Sequence, residues 1–114
     1  MRVQMAENVV CYDVDGTLVS ENSNGGIFIT NPNNQIGKEY TSHTRNIELL
    51  KAHHGRGFFV KVWSAAGWQW AETVVKALNL ERYVNSVETK PTLLVDDLEV
   101  QEVFPARIFL KDPS

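Results

Sequence analysis

Two aspartates at the end of an apolar run are the residues of this sequence best suited to chemistry. Val9-Val10-Cys11-Tyr12 leads directly into Asp13-Val14-Asp15-Gly16-Thr17. A buried strand has no use for two carboxylates, and two ionised carboxylates this close repel each other unless a cation lies beside them. A second pair, Asp96-Asp97, follows a second apolar run, Leu93-Leu94-Val95. The pattern therefore predicts a divalent-metal site built from strand ends.

Two more polar residues follow the same pattern between the acidic pairs. Ser64 ends the apolar run Phe58-Phe59-Val60-Lys61-Val62-Trp63, and Lys90 lies in Thr89-Lys90-Pro91. The order of these signals resembles the haloacid dehalogenase (HAD) superfamily of phosphohydrolases. The resemblance covers residues 9–97, and it includes the full Asp-x-Asp-Gly-Thr motif of that family.

The resemblance implies a catalytic set of Asp13, Asp15, Ser64 and Lys90. Asp13 would be the nucleophile that forms an aspartyl-phosphate, and Asp15 would be the general acid and base. Asp15 would need a pKa above the ordinary value, which nearby acids and partial burial favour. Ser64 would donate a hydrogen bond to a phosphate oxygen, although a serine at a strand end often only caps the next helix. Lys90 would hold the phosphoryl group and the nucleophile through its charge.

A bound Mg²⁺ ion follows from the same resemblance. Its ligands would be the Asp13 carboxylate, the Asp15 main-chain carbonyl and the Asp96 carboxylate. Asp97 would be a further ligand through water or a partner of the ligands, and the sequence leaves open which of the acidic pair binds directly. Seen in isolation, that pair could also cap a helix.

Four residues next to the catalytic set are candidates for substrate binding. They are Gly16, Thr17, Ala65 and Trp68. Gly16 and Thr17 let the chain turn after the acids, and Ala65 leaves amides unobstructed at the start of a helix. Trp68 and Trp70 alternate and cannot share one helix face, so at least one should point away from the core. An exposed Trp there could stack on a base or sugar.

Alternating strand and helix patterns predict an α/β fold. Strands are expected at residues 8–13, 58–63, 83–87, 93–96 and 107–110, with helices at 45–52, 67–78 and 98–104. The Asn- and Gly-rich segment 18–40 is expected to form a small β-hairpin flap over the mouth of the site. The HAD resemblance implies a Rossmann-like three-layer sandwich with a central parallel five-stranded sheet in the order 5-4-1-2-3. Asp13 and Asp96 would then be neighbours at the point where the strand order reverses.

Composition and length limit the class of protein. The chain has 114 residues, a formal net charge of −3 and 43% hydrophobic residues. These values predict a single domain, 1–114, without a broadly basic nucleic-acid face, membrane span or secretory signal. A single cysteine, Cys11, fits a reducing, cytoplasmic location. Neither gap between the motifs has room for the cap domain that many HAD members carry.

An open site predicts a large phosphate ester as substrate, such as a nucleic-acid end or a phosphoprotein. A small substrate would be favoured if a homo-oligomer partner covered the site, with segment 20–37 as a lid or contact. The open site and the two tryptophans favour a nucleotide or a nucleic-acid 3′-phosphate. The leading hypothesis is a Mg²⁺-dependent phosphomonoesterase. The alternative is a phosphate-binding or regulatory module with little or no turnover. A receiver domain fits less well, because its acidic pair comes first in the chain and here the pair comes last.

Overall fold

Six strands and two helices make up the part of the chain that the structure describes. The structure is a computed structural model that describes residues 8–22, 24–99, 103–104 and 108. The elements are β1 (Val9–Tyr12), β2 (Val19–Glu21), β3 (Ile27–Thr30), β4 (Gly37–Ser42), α1 (Thr44–Gly55), β5 (Phe59–Ser64), α2 (Trp68–Ala77) and β6 (Ser86–Thr89). A short 3₁₀ turn, Glu81–Tyr83, lies between α2 and β6. None of the helices in these ranges is long and apolar enough to cross a membrane.

A parallel sheet with the strand order β1-β5-β6 forms the centre of the fold. Tyr12 of β1 is paired with Val62 of β5, which is paired in turn with Val87 of β6. Both crossovers step in the same direction across the sheet. Since such crossovers are right-handed, α1 and α2 are expected on the same face. All three strands end at the same edge, so the residues that follow them are brought together.

The hydrophobic core lies between that face and the two helices. Val60, Val62 and Ser64 of β5 are buried, whereas Lys61 and Trp63 alternate with them and are half-buried. The helices contribute Leu50 from α1, and Trp70, Ala71, Val74 and Val75 from α2. This burial follows the period of two along the strand and the spacing of three and four along α2.

The opposite face of the sheet carries mixed side chains. Lys61 and Glu88 form an ion pair there, with 3.3 Å between Nζ and Oε2. Cys11 is paired with Lys61 in the strand register, and burial raises the pKa of its thiol. Trp63 meets the ring of Phe104 edge-on, with 6.5 Å between centroids. In the described ranges, α1 and α2 therefore both lie on one face of the sheet, and the second helical layer that was expected is described only in part, through residues such as Val103 and Phe104.

The segment predicted to be a hairpin flap forms a small antiparallel sheet of three strands. Its order is β2-β4-β3, so the flap includes the chain that directly follows the Asp-x-Asp-Gly-Thr motif. Val19 and Ile29 are buried on its inner face, whereas Phe28 is exposed on the outer face. Gly26 is required where β3 begins, because a Cβ atom there would lie 2.4 Å from the Tyr40 carbonyl oxygen.

The prediction of a five-stranded parallel sheet in the order 5-4-1-2-3 is wrong. Leu93, Leu94 and Val95 belong to no strand, and the side chains of Leu93 and Val95 are 79% and 88% exposed. The apolar run has only three residues, between Pro91-Thr92 and Asp96-Asp97, which is shorter than the usual strand of about five. The predicted strand 107–110 lies outside the described residues except for Ile108. Of the predicted helix 98–104, residues 100–102 lie outside the described residues as well, Leu98 and Glu99 are not helical, and Val103 is helical.

Tyr12 provides a test of how tightly the core is closed. Its hydroxyl is hydrogen-bonded to Nδ1 of His53 in α1, and burial raises its pKa from the ordinary 10.0 to about 12. A raised pKa stabilises the fold fully below the unfolded-state value and loses that effect as the pH rises towards the folded-state value. We therefore expect the free energy of unfolding of the wild type to fall by about 1.4 kcal/mol more than that of Tyr12→Phe between pH 9 and pH 11.

Urea unfolding of both proteins at the two pH values measures this difference. Comparing wild type with Tyr12→Phe cancels the contributions of lysine and of the other tyrosines. Equal losses in the two proteins would show that Tyr12 ionises as freely in the fold as in the unfolded chain.

Candidate functional site

Three of the predicted catalytic residues follow the ends of the three parallel strands. Asp13 follows β1, Ser64 ends β5 and Lys90 follows β6. The Lys90 ammonium lies 3.8 Å from Oδ1 of Asp13, and both side chains are partly exposed. A carboxylate and a cation from distant parts of the sequence thus face solvent together.

Hydrogen bonds fix the ends of β5 and β6 to each other. The Lys90 amide donates to the Ser64 carbonyl oxygen at 2.9 Å. The Trp68 amide, at the start of α2, donates to Oγ1 of Thr89 at 3.0 Å. The backbone at Lys90 is therefore bonded directly to Ser64 and, through the Thr89 side chain, to the start of α2.

Ser64 is buried at the base of this edge, with 1% of its surface exposed. Its hydroxyl oxygen accepts a hydrogen bond from the Ala66 amide at 3.0 Å, so the serine caps the turn that leads into α2. The hydroxyl accepts through a lone pair, so this hydrogen bond leaves its proton available for a second partner. Ala65 is exposed beside it, and Trp68 is 47% exposed on the first turn of α2.

A tight turn after β1 sets the direction of the two aspartates. The amides of Thr17 and Leu18 donate to the Val14 carbonyl oxygen at 3.1 and 2.8 Å. Gly16 has a φ of 80°, a left-handed conformation that glycine adopts without strain. Asn46 of α1 donates to the Thr17 carbonyl oxygen at 2.8 Å. Gly16 and Thr17, which were predicted to bind substrate, therefore belong to a turn held by several hydrogen bonds.

Asp15 has a partner that the sequence interpretation did not assign. The indole Nε1 of Trp70 donates to Oδ1 of Asp15 at 3.2 Å. Burial raises the pKa of Asp15, and the charge of Asp13 acts in the same direction, whereas the hydrogen bond from Trp70 opposes both. The net direction is upward, as a group that both gives and takes a proton requires.

The flap sheet borders the same edge. Tyr40 of β4 packs against Trp70, with 5.3 Å between ring centroids. At the turn between β3 and β4, the Asn33 side-chain amide donates to the Ala66 carbonyl oxygen at 3.2 Å. Burial first, and then the charge of Asp15, raise the pKa of the Tyr40 phenol. The flap is thus in contact with both α2 and the loop that follows Ser64.

The metal-binding prediction has to be compared with the donor atoms at this edge. Asp13 and Asp15 supply carboxylate and carbonyl oxygens, the hard donors that Mg²⁺ takes. Across residues 8–22, 24–99, 103–104 and 108, no group of three or more His, Cys, Asp or Glu side chains could hold a metal. Asp96 lies in the exposed segment, where its Oδ1 accepts a hydrogen bond from the Leu98 amide at 3.0 Å. The roles of Asp96 and Asp97 stay predictions from the sequence.

A site with as few as two carboxylates can still bind Mg²⁺. Mg²⁺ keeps several waters and is commonly bound through one or two carboxylates together with substrate phosphate oxygens. Asp13 and the Asp15 carbonyl meet that requirement in residue type, so the residues present fit this ion.

Comparison with known proteins adds no relative to this picture. No family model, no curated protein and no solved structure matches the chain. The motif and the geometry of the strand ends are therefore the features from which a function can be inferred.

Proposed function

We propose that this protein is a Mg²⁺-dependent phosphomonoesterase that works through an aspartyl-phosphate. The observation that carries the proposal is the contact between Lys90 and Asp13, with Ser64 at the end of the strand between theirs. A nucleophilic carboxylate, a cation and a hydroxyl donor at one edge are the groups that phosphoryl transfer needs.

The reaction would proceed in two displacements at phosphorus. A carboxylate oxygen of Asp13 attacks phosphorus, and the bond from phosphorus to the ester oxygen breaks. Asp15 gives its proton to that departing oxygen. In the second step Asp15 takes a proton from water, the water oxygen attacks phosphorus, and the bond to Asp13 breaks to release phosphate.

Positive charge is needed because both the nucleophile and the substrate are anionic. The Lys90 ammonium supplies it next to Asp13. The motif assigns the Ser64 hydroxyl as a hydrogen-bond donor to a phosphoryl oxygen. Mg²⁺, when bound, would supply further charge. The Asp13 carboxylate and the Asp15 carbonyl would hold it, with one of Asp96 and Asp97 as a further direct ligand and the other as a ligand through water or a partner of the ligands.

The surroundings of the site favour an accessible phosphate ester. Asp13 and Lys90 are both partly exposed. Trp68, whose amide is bonded to Thr89 beside Lys90, offers an exposed aromatic ring at the start of α2. We propose a nucleotide, a nucleic-acid end or another large phosphate ester as substrate, with a partner subunit of a homo-oligomer as a further cover for a small one. A single cysteine, Cys11, supports a reducing, cytoplasmic location.

Removal of the metal gives the most direct test of the proposed function. We expect phosphate release from p-nitrophenyl phosphate, and from nucleotide, sugar and oligonucleotide phosphates, to require Mg²⁺. EDTA should lower the rate to the level of a reaction without protein, and excess Mg²⁺ should restore it, because loss of the cation leaves two anions to repel each other.

Excess Ca²⁺ is the matched control, since it binds the same oxygen ligands with longer and less regular coordination. Activity that is unchanged by EDTA would contradict the magnesium requirement. Binding of phosphate without turnover of any ester would favour the alternative of a phosphate-binding or regulatory module.

A further inference from the structure

We propose that Trp70 is the residue that positions the general acid Asp15, and that Tyr40 of the flap holds Trp70 in place. This inference rests on the proposed function, because it assigns a role within the same reaction. It concerns the direction in which Asp15 offers its proton, which the Asp-x-Asp-Gly-Thr motif leaves unspecified.

The indole of Trp70 is a rigid donor. Its residue is 2% exposed and lies in the core with Ala71, Val74 and Val75 of α2. Packed on all sides, the ring has little freedom to turn, so its N–H points in one direction. Asp15 stands on the turn after β1, with part of its side chain in solvent. A fixed donor therefore orients a carboxyl group that would otherwise be free to rotate.

The hydrogen bond also distinguishes the two carboxyl oxygens. An indole N–H only donates, so the oxygen that it contacts, Oδ1, must accept. When Asp15 carries a proton, Oδ2 is the favoured position for it, because the carbonyl oxygen of a carboxyl group accepts a hydrogen bond better than its hydroxyl oxygen does. Trp70 would thus present Oδ2 as the atom that protonates the leaving oxygen and later takes the proton from water.

Tyr40 connects this arrangement to the flap. Its ring packs on the Trp70 indole at a tilt of 49°. Tyr40 lies in β4, the central strand of the flap sheet, between β2 and β3. The flap therefore supports the general acid through one aromatic contact, in addition to bordering the site.

Substrates with different leaving groups test the assignment. A p-nitrophenolate leaves readily without a proton, whereas an alkoxide from glycerol 2-phosphate needs one. We expect Trp70→Phe, which keeps a ring but removes the N–H, to lower kcat/KM at least about tenfold more for glycerol 2-phosphate than for p-nitrophenyl phosphate. A loss of packing alone would lower both values by the same factor.

Trp63→Phe is the matched control. Trp63 lies on the opposite face of the sheet, and its replacement by phenylalanine removes an indole N–H there in the same way. Its ratio of kcat/KM values for the two substrates should equal that of the wild type. If Trp70→Phe does not fold, 3-benzothienylalanine at position 70 replaces only the N–H by sulfur and tests the same point.

The possible outcomes separate this inference from the proposed function. Wild-type protein that releases no phosphate from either ester would overturn both. An active wild type with equal losses for the two esters in the position-70 variant, or with no loss, would overturn only the role of Trp70. A selective loss for glycerol 2-phosphate would support it.

Discussion

Replacing Asp13 by asparagine is expected to lower kcat/KM for phosphate-ester hydrolysis by at least about 1,000-fold. The amide has the shape of the carboxylate but is a poor nucleophile, so the first displacement loses its attacking atom. Because Asp13 follows β1 at an accessible edge of the sheet and is partly exposed, the substitution should leave the fold intact. The variant should therefore unfold at nearly the same temperature as the wild type.

The measurement is phosphate release by both proteins at saturating Mg²⁺. Glu72→Gln is the matched control, since Glu72 forms a carboxylate–lysine pair with Lys76 at 3.0 Å on the surface of α2. It should keep the wild-type rate. If Asp13→Asn kept more than a tenth of the activity, Asp13 would not be the nucleophile, and the hydrolysis would have to use direct attack by water.

The arrangement of Asp13 and Ser64 follows from features that are visible in the sequence, whereas the strand before Lys90 was predicted at 83–87 and lies at Ser86–Thr89. Asp13 and Ser64 each come at the end of an apolar run long enough to form a strand. The runs are separated by segments long enough for a helical crossover, which is how parallel strands are connected. Because parallel strands end at the same edge, their following residues become neighbours. The sheet order β1-β5-β6 agrees with that reasoning for these three strands.

The predicted fourth strand is one that the sequence alone could not establish. Leu93-Leu94-Val95 is apolar, but a strand forms only where a neighbour supplies hydrogen bonds along its length, and a run of three offers few. The Asp96 carboxylate instead accepts a hydrogen bond from the Leu98 amide. This local contact competes with the hydrogen bonds of a β-sheet. Sequence composition cannot decide between these two states, since both satisfy the backbone.

The burial of Trp70 was predictable from the sequence, whereas its polar contact was not. It lies four residues before Val74, so it extends the apolar face of α2 by one turn and should be buried. Its contact with Asp15 was not predictable, because it joins two residues from different elements and depends on how α2 sits relative to the turn after β1. Sequence periodicity gives the face of a helix, whereas the partner of a polar atom on that face depends on tertiary packing.

Strand β2 of the flap, which was not predicted, also depends on tertiary packing. Val19–Glu21 is too short and too polar to be recognised as a strand by alternation. It becomes one because β4 extends to Ser42 and supplies partners for it, with Val19 opposite Ser42. The turn after β1 then leads without a loop into the flap.

Lys90 gives the second large effect. Replacing it by methionine keeps most of the side-chain volume but removes the cation beside Asp13. We expect kcat/KM for phosphate esters to fall by about 100- to 1,000-fold, the usual cost of removing a group that stabilises charge in the transition state. The free energy of unfolding should change by less than about 1 kcal/mol, because an ion pair this exposed contributes little to stability.

Lys61→Met is the matched control for this experiment. Lys61 also pairs with an acid, Glu88, at 3.3 Å, but on the face of the sheet away from the helices. Its removal should leave the rate unchanged, while Lys90→Arg should recover part of the activity by restoring the charge with a different shape. Equal rates for Lys90→Met and wild type would mean that the contact with Asp13 is only a surface ion pair. A strong loss of activity in Lys90→Met with none in Lys61→Met would show that the Lys90 charge acts in the reaction. Both substitutions remove a lysine charge from beside a carboxylate, so the comparison isolates the position of that charge.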